Sequence, residues 1–525
     1  MDATTARDAM ARSLHALRRY AALLVLAGGL AAAAAHAAPM GPEEARHLLA
    51  RTGFGPSSTD IQRFAALDRA QAVDRLLAES RTTPTLPPPA FDDREVQPAA
   101  GRTLTPEERR AFVREQNEHT QALRGWWIAE MVATPSPLTE RMTLFWHNHF
   151  VSSQQKVRLA RLMYAQSATF RANALGNFGT LVHAVARDPA MVIYLDSVQN
   201  RKGVPNENFA REVMELFTLG EGHYTEQDVK EAARAFTGWS YDRAAGAFVE
   251  RPRLHDDGEK VIFGRRGNFD GDDVLDLILA RPETSRFVVT KLWREFVSPE
   301  PDPAAVARIA EHFRSTNYNL KIALRELLLE PAFWAPVNRG TLVKSPVEVV
   351  VGTLRALDVR PDAGLPFALA TAGMSQVLFA PPNVKGWPGG ETWINSSTLL
   401  ARKQFLDALT RASGRPAMEG ETMASLQMTA TAPPAAGDDA SMSDEAQRRL
   451  RAARSVERAL ARLRFAPQAW LDAQPGDDVA ARFASAQRVL LPLAPVTTDV
   501  AEARAQRDAT LFVRAALLDP VYQLK

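Results

Sequence analysis

The residues best suited to chemistry form four groups along the chain. The first runs from Asn206 to Gly220. At about 100° per residue, a helix here gathers Glu207, Asn208, Arg211, Glu212 and Glu215 on one side and Phe209, Val213, Leu216 and Phe217 on the other. Asn206 suits the N-cap and Gly220 the terminator. Glu212 and Glu215, one turn apart, could act as an acid/base pair or ligate a hard divalent cation, with Arg211 orienting a carboxylate or an anionic substrate group. The same residues also make an ordinary solvated face, whose Glu–Arg pairs add on the order of a few tenths of a kcal/mol each.

The second group is Phe145-Trp146-His147-Asn148-His149-Phe150. Ser136, Pro137, Thr139 and Met142 argue for a helix running into it, and a helix separates His147 from His149 by about 200°. One imidazole would face the core beside Met142 and Trp146, the other a groove. A metal shared by both would need an extended segment. The third group is the polar turn His255-Asp256-Asp257-Gly258-Glu259-Lys260, either a plain Asp-Gly turn or a loop delivering His255 and Asp256 to a cleft. The fourth, Pro381 to Gly390, carries Lys385 and Trp387 and is followed by Trp393-Ile394-Asn395. So dense a Pro/Gly run excludes helix and fixes one backbone path. Trp387 then either plugs a gap between helices or helps a stacking wall.

The elements that must position these groups are mostly helices. Thr105-Pro106-Glu107-Glu108 and Ser345-Pro346-Val347-Glu348 have the N-cap, the first-turn Pro and the Glu of a capping box. Asp302-Pro303 has the first half of that device. Asp270-Gly271-Asp272-Asp273 reads as another capped start; Val274 and the misplaced Gly exclude a calcium loop. Alternating patterns are scarce, the best being Ala247 to Glu250 with Lys260 to Phe263 as a small hairpin. The expected fold class is mainly α: a multi-helix globular body with long irregular loops and at most a small β-hairpin.

Along its 525 residues the chain divides into an N-terminal address (1–37), N-terminal helices (38–81), a Pro-rich linker or loop (82–105), a helical core carrying the motifs (106–414), a low-complexity stretch expected to be disordered (415–443) and C-terminal helices (444–525). The address combines Arg7, Arg12, Arg18 and Arg19, an apolar run from Ala21 to Ala35, and Ala35-His36-Ala37 before a cut at Ala38. It fits a Sec-type signal better than a twin-arginine one and is too short and Ala-rich for a stable membrane anchor, so an exported protein, periplasmic or extracellular, is expected. With 63 Lys+Arg against 61 Asp+Glu, no nucleic-acid footprint is visible. The absence of Cys excludes disulfides, zinc ribbons, iron–sulfur clusters and thiol nucleophiles. No phosphate-cradling Gly loop, dinucleotide fingerprint or Gly-x-Ser-x-Gly elbow occurs, so no nucleotide cofactor is expected. A divalent metal is the one cofactor the donors could hold, with His147, Asp256 and Glu207 as candidate ligands.

These words, in this order, resemble the bacterial family of domain of unknown function 1800. The match begins at His47-Leu48-Leu49-Ala50-Arg51-Thr52-Gly53-Phe54-Gly55. It runs through the four groups above, Tyr224-Thr225-Glu226, Phe236-Thr237-Gly238-Trp239, Asn268 to Asp273 and Lys291-Leu292-Trp293-Arg294. The resemblance implies a large, exported, predominantly helical protein without an agreed activity. It also implies genes beside those of domain of unknown function 1501, whose members resemble sulfatases and phosphatases. Because the family words cover charged residues as well as Gly, Pro and apolar ones, a functional cleft is expected. The leading expectation is a hydrolase-like enzyme acting on a cell-envelope or extracellular polymer. Glu212, Glu215, Arg211, His149 and His255 would be its catalytic residues, and Trp146, Trp239, Lys385, Trp387 and Asn208 would hold substrate. The alternative is a non-catalytic glycan-binding or assembly factor working with a sulfatase-like partner.

Overall fold

The helix starts read at Thr105, Asp270, Asp302 and Ser345 are present in the computed structural model, which describes residues 38–91, 104–412 and 444–525, while the one read at Asn206 moves on a residue, with Glu207 at the N-cap position. Thr105 accepts from the Glu108 amide and Glu108 from the Thr105 amide, opening the long helix Pro106–Ala133. Ser345 and Glu348 repeat the box at Pro346–Ala356, and Asp270 and Asp273 do so at Gly271–Leu279, which confirms a helix start at that acidic cluster. Asp302 caps Pro303–Ser315. Among the described residues there are twenty-four α-helices and only two antiparallel two-stranded sheets.

The sheets correct the expected hairpin. Ala247–Glu250 pairs with Trp239–Asp242, and Lys260–Ile262 with Arg265–Gly267. Two turns explain the exchange of partners. Asp242 accepts from the Ala244 and Ala245 amides, and Gly246 takes φ +65°, closing the first hairpin. Phe263 and Gly264, at φ +49° and +73°, form a two-residue loop that closes the second. Each strand therefore meets its nearest neighbour in sequence, at a smaller loop-closure cost.

One apolar core runs from Ala45 to Tyr522 and includes Trp127, Trp146, Trp293 and Phe512. The long helix packs against Ala160–Ala172, Pro346–Ala356 and Leu365–Gly373. The His47–Gly55 word proves to be a fastening. His47 bonds the Phe333 carbonyl (2.8 Å), and fully buried Arg51 donates to the carbonyls of Phe296 and Val297. Gly55 lies so close to Gly352 that a Cβ would sit 2.8 Å from its oxygen. Residues 82–91 of the Pro-rich stretch are a surface loop, not a free linker: buried Glu130 accepts the Thr85 and Leu86 amides, and the Trp126 indole donates to the Leu86 carbonyl. The expected signal peptide and the expected disorder at 415–443 lie outside the described residues. No described helix is long and apolar enough to cross a membrane.

Candidate functional site

The Asn206–Gly220 segment is helical, but not uniformly so. Asn208–Glu212 is α, and Val213–Thr218 widens into a π-helix. A π turn bonds each amide to the fifth residue back, as the Leu219 amide does to the Met214 carbonyl (2.8 Å). Gly220, at φ +83°, then ends the segment and leaves the Leu216 and Phe217 carbonyls without partners of their own. Two side chains from other helices take them. Lys291 Nζ donates to the Leu216 carbonyl (3.0 Å), and His149 Nε2 lies 2.9 Å from the Phe217 carbonyl. A carbonyl only accepts, so Nε2 carries the proton and Nδ1 is left to accept from Lys291 Nζ, 3.2 Å away. Burial and the neighbouring Lys291 hold His149 well below its ordinary pKa. Burial, with Arg294 nearby, brings Lys291 down to about 8. His149 is thus a neutral brace behind the bulge and not the proton donor expected of it.

The bulge presents two carboxyls in unlike surroundings. Glu212 is half-buried; burial first, and then Glu215, raises its pKa, against the opposing charges of Arg211 and Lys385. Glu215 accepts a 2.7 Å hydrogen bond from the Tyr224 hydroxyl. Burial and that carboxylate raise the Tyr224 phenol. Burial raises the Tyr194 phenol too, with Glu212 adding to it. Lys385 approaches from the Pro/Gly loop and lies 4.0 Å from Glu221. The arrangement thus sets a carboxylate hydrogen-bonded by a phenol beside a second, half-buried carboxyl.

Arg211 does not orient this pair. Its guanidinium is engaged by Glu226 (2.7 Å) and by Glu207 (3.0 Å), which takes Glu207 out of the metal candidates as well. Asn208 is exposed, its amide bonded to Asn206 Oδ1. His147 is buried in an aromatic cage of Trp127, Phe379 and Trp387, with its Nε2 unbonded. Burial holds it at about 3. Trp146 is fully buried and donates to the Ala174 carbonyl, so it is core and not a stacking wall. Trp239 is likewise buried, its ring covered by the Arg187 guanidinium at 4.8 Å. Trp387 is the plug: Asn148 bonds both its amide and its carbonyl. A Cβ on Gly386 (φ +83°) would overlap that same Asn148.

The His255 turn stands apart. His255 Nδ1 bonds the Thr237 carbonyl, and Asp256 pairs with Arg234 (2.8 Å). The Arg234 hydrogen bond brings the Asp256 carboxyl to about 2. Lys260 Nζ donates to the Asp256 and Gly258 carbonyls. Among the described residues no hydrogen bond or ion pair joins His255 or Asp256 to Glu212 or Glu215, and no cluster of three or more His, Asp and Glu is arranged to hold a metal ion. Tyr194, Tyr224 and Lys291 went unassigned in the sequence reading. On its helix Lys291 neighbours Phe287, Val288, Arg294 and Glu295, so spacing alone did not set it apart from an ordinary charged face.

A helical body with a braced π-bulge defines the architecture, and the sequence as a whole defines the family. Residues 47–523 match the model described as "Protein of unknown function (DUF1800)", and the chain belongs to that family. No curated protein and no solved structure matches the chain.

Proposed function

We propose that the protein is an exported, hydrolase-like enzyme that cleaves a cell-envelope or extracellular polymer at the Glu212/Glu215 bulge. The observation that carries this reading is the division of two adjacent carboxyls by environment. Burial and the neighbouring Glu215 raise the Glu212 carboxyl and so favour its protonated form, while Glu215 accepts the Tyr224 hydroxyl. In the reaction, water loses a proton to Glu215 and attacks, and the leaving oxygen takes the proton of Glu212. His149 and Lys291 hold the bulge in place from behind. A functional site also gives a reason for the π-helix itself, since such bulges concentrate at functional sites.

A second reading is favoured by one observation. Arg211, Glu207 and Glu226 satisfy one another, as do Arg234 and Asp256, which suits the scaffold of a non-catalytic glycan-binding or assembly factor with a sulfatase-like partner. Release of new reducing ends from envelope and extracellular polysaccharide fractions separates the two. The enzyme reading expects turnover by wild type and a loss of about a hundredfold or more in Glu212→Gln and Glu215→Gln. Binding without turnover in all three proteins supports the factor.

A further inference from the structure

Beside the bulge lies a cleft of about 560 Å³, walled by the Pro137–His149 and Pro282–Phe296 helices and by the Pro/Gly loop. That is the size of a small-ligand site. Its cationic side chains are Arg141, Lys291, Arg294, Lys385 and Lys525, against the carboxylates Glu295, Glu348 and Glu391. The deep carboxylates are occupied: Arg141 binds both Glu295 and Glu348, and Lys525 binds Glu348 as well. Three cations remain. Arg294 has no carboxylate or carbonyl partner among the described residues, and Lys385 reaches only Glu221, at the 4.0 Å limit of an ion pair. Lys291 uses two of its three ammonium protons, on the Leu216 carbonyl and His149 Nδ1, and one is unclaimed. A half-buried ammonium with a spare donor is well placed to take a negative group. Among the described residues the Phe287 ring face, 4.7 Å from Nζ, meets the Lys291 ammonium, but no carboxylate pairs with it.

We propose that the cleft binds an oxyanion carried by a polysaccharide, a sulfate ester or a uronate carboxylate, held between Lys291, Arg294 and Lys385. The site is a pocket and not a basic stripe, and Glu391 and Glu221 stand at its edge, which suits a spaced anion on a sugar chain better than a continuous phosphate backbone. Lys385 lies on both sides of the matter: it lines the cleft and acts electrostatically on Glu212. The assignment of the substrate as an acidic polysaccharide rests on the hydrolase reading; the binding itself does not.

The test is calorimetric titration of the full-length Glu212→Gln protein, so that no probe is consumed. The probes are a sulfated hexasaccharide, a hexagalacturonate, neutral cellohexaose and a single-stranded oligonucleotide. At least one acidic sugar should bind, with affinity falling as salt is raised, and cellohexaose should not. The stronger of the two acidic probes identifies the anion. Arg294→Ala and Lys385→Ala, both at exposed positions, should each weaken binding about tenfold while leaving the melting temperature in place. Lys291→Met should weaken binding too, but it also unbraces the bulge, so the two exposed variants decide. Cellohexaose or the oligonucleotide binding as tightly as the acidic sugars, no binding by any probe, or unchanged affinity in both exposed variants would overturn the proposal. Turnover by wild type, measured in parallel, keeps the two readings apart. Acidic-sugar binding without turnover removes the hydrolase alone, and turnover of a neutral polymer without acidic binding removes the subsite alone.

Discussion

Replacing Glu348 by Gln should destabilise the protein by about 3 kcal/mol at neutral pH, for reasons specific to its place beneath the cleft. Glu348 is fully buried, 2.5 Å from Arg141, bonded to Lys525, and takes the Ser345 amide at 2.8 Å as part of a helix cap. Burial alone would raise its pKa, but Arg141 and Lys525 overcome that and bring it to about 2. A carboxyl held at about 2 instead of 4.5 corresponds to roughly 3 kcal/mol at 1.36 kcal/mol per tenfold. Lys525 works the other way: burial and Arg141 bring its ammonium down to about 8, so its charge favours unfolding below that pH, and the penalty fades as pH rises from about 8 to 10.5. Intact, the cluster adds little net stability; broken on one side, such a cluster costs about 3–5 kcal/mol. Lys525 can escape by releasing its proton, which keeps the cost near the lower end. The Glu348 contribution is fully present above about 4.5 and is lost as pH falls from there toward about 2. Guanidinium midpoints at pH 7 and along the acid limb read both quantities, with the slope as a control for an altered transition. The variant should lack that acid limb. A loss under 1 kcal/mol, or an acid limb as steep as in wild type, would refute the reasoning.

Glu212→Gln should leave the fold intact and raise stability by no more than about 1 kcal/mol at pH 7, because it removes a half-buried charge beside Glu215; a clear drop in the melting temperature would count against that environment. Gly271→Ala should destabilise by more than about 1 kcal/mol in thermal melts, since its Cβ would overlap the Trp239 ring packed on the helix start. Adding EDTA, Zn²⁺, Mn²⁺ or Ca²⁺ should not move the melt, because Glu207 and Asp256 are held by arginines and His147 is caged; a site loaded at a hundredfold excess would add about 2.7 kcal/mol and be seen.

Helix starts were legible because capping is local chemistry: Thr105 with Glu108, or Asp270 with Asp273, is complete within four residues. The wrong hairpin came from matching strand-like stretches across a gap, when the signal lay in turn residues such as Phe263 and Gly264. The candidate site was half legible. Regular spacing put Glu212 and Glu215 on one face, and they are close enough to influence each other. Periodicity could not show the π-bulge, which depends on Lys291 and His149 arriving from helices distant in sequence. Nor could it show that Arg211 prefers Glu226, fifteen residues on, or that Trp146 and Trp239 are core. Chemistry-bearing residue types mark such positions, but only packing decides which are satisfied by the scaffold and which are left for a ligand.

The central claim is that the Glu212 carboxyl takes up its proton at a higher pH than an ordinary carboxylate does. Infrared difference spectra across a pH titration of the apo protein test it without a substrate, by following the carboxyl C=O band that wild type has and Glu212→Gln lacks. The account predicts that this band titrates above the ordinary value of 4.5, and that Glu215→Gln shifts it downward by removing the neighbouring charge. A band that titrates at or below 4.5, or one indifferent to the loss of Glu215, would contradict it.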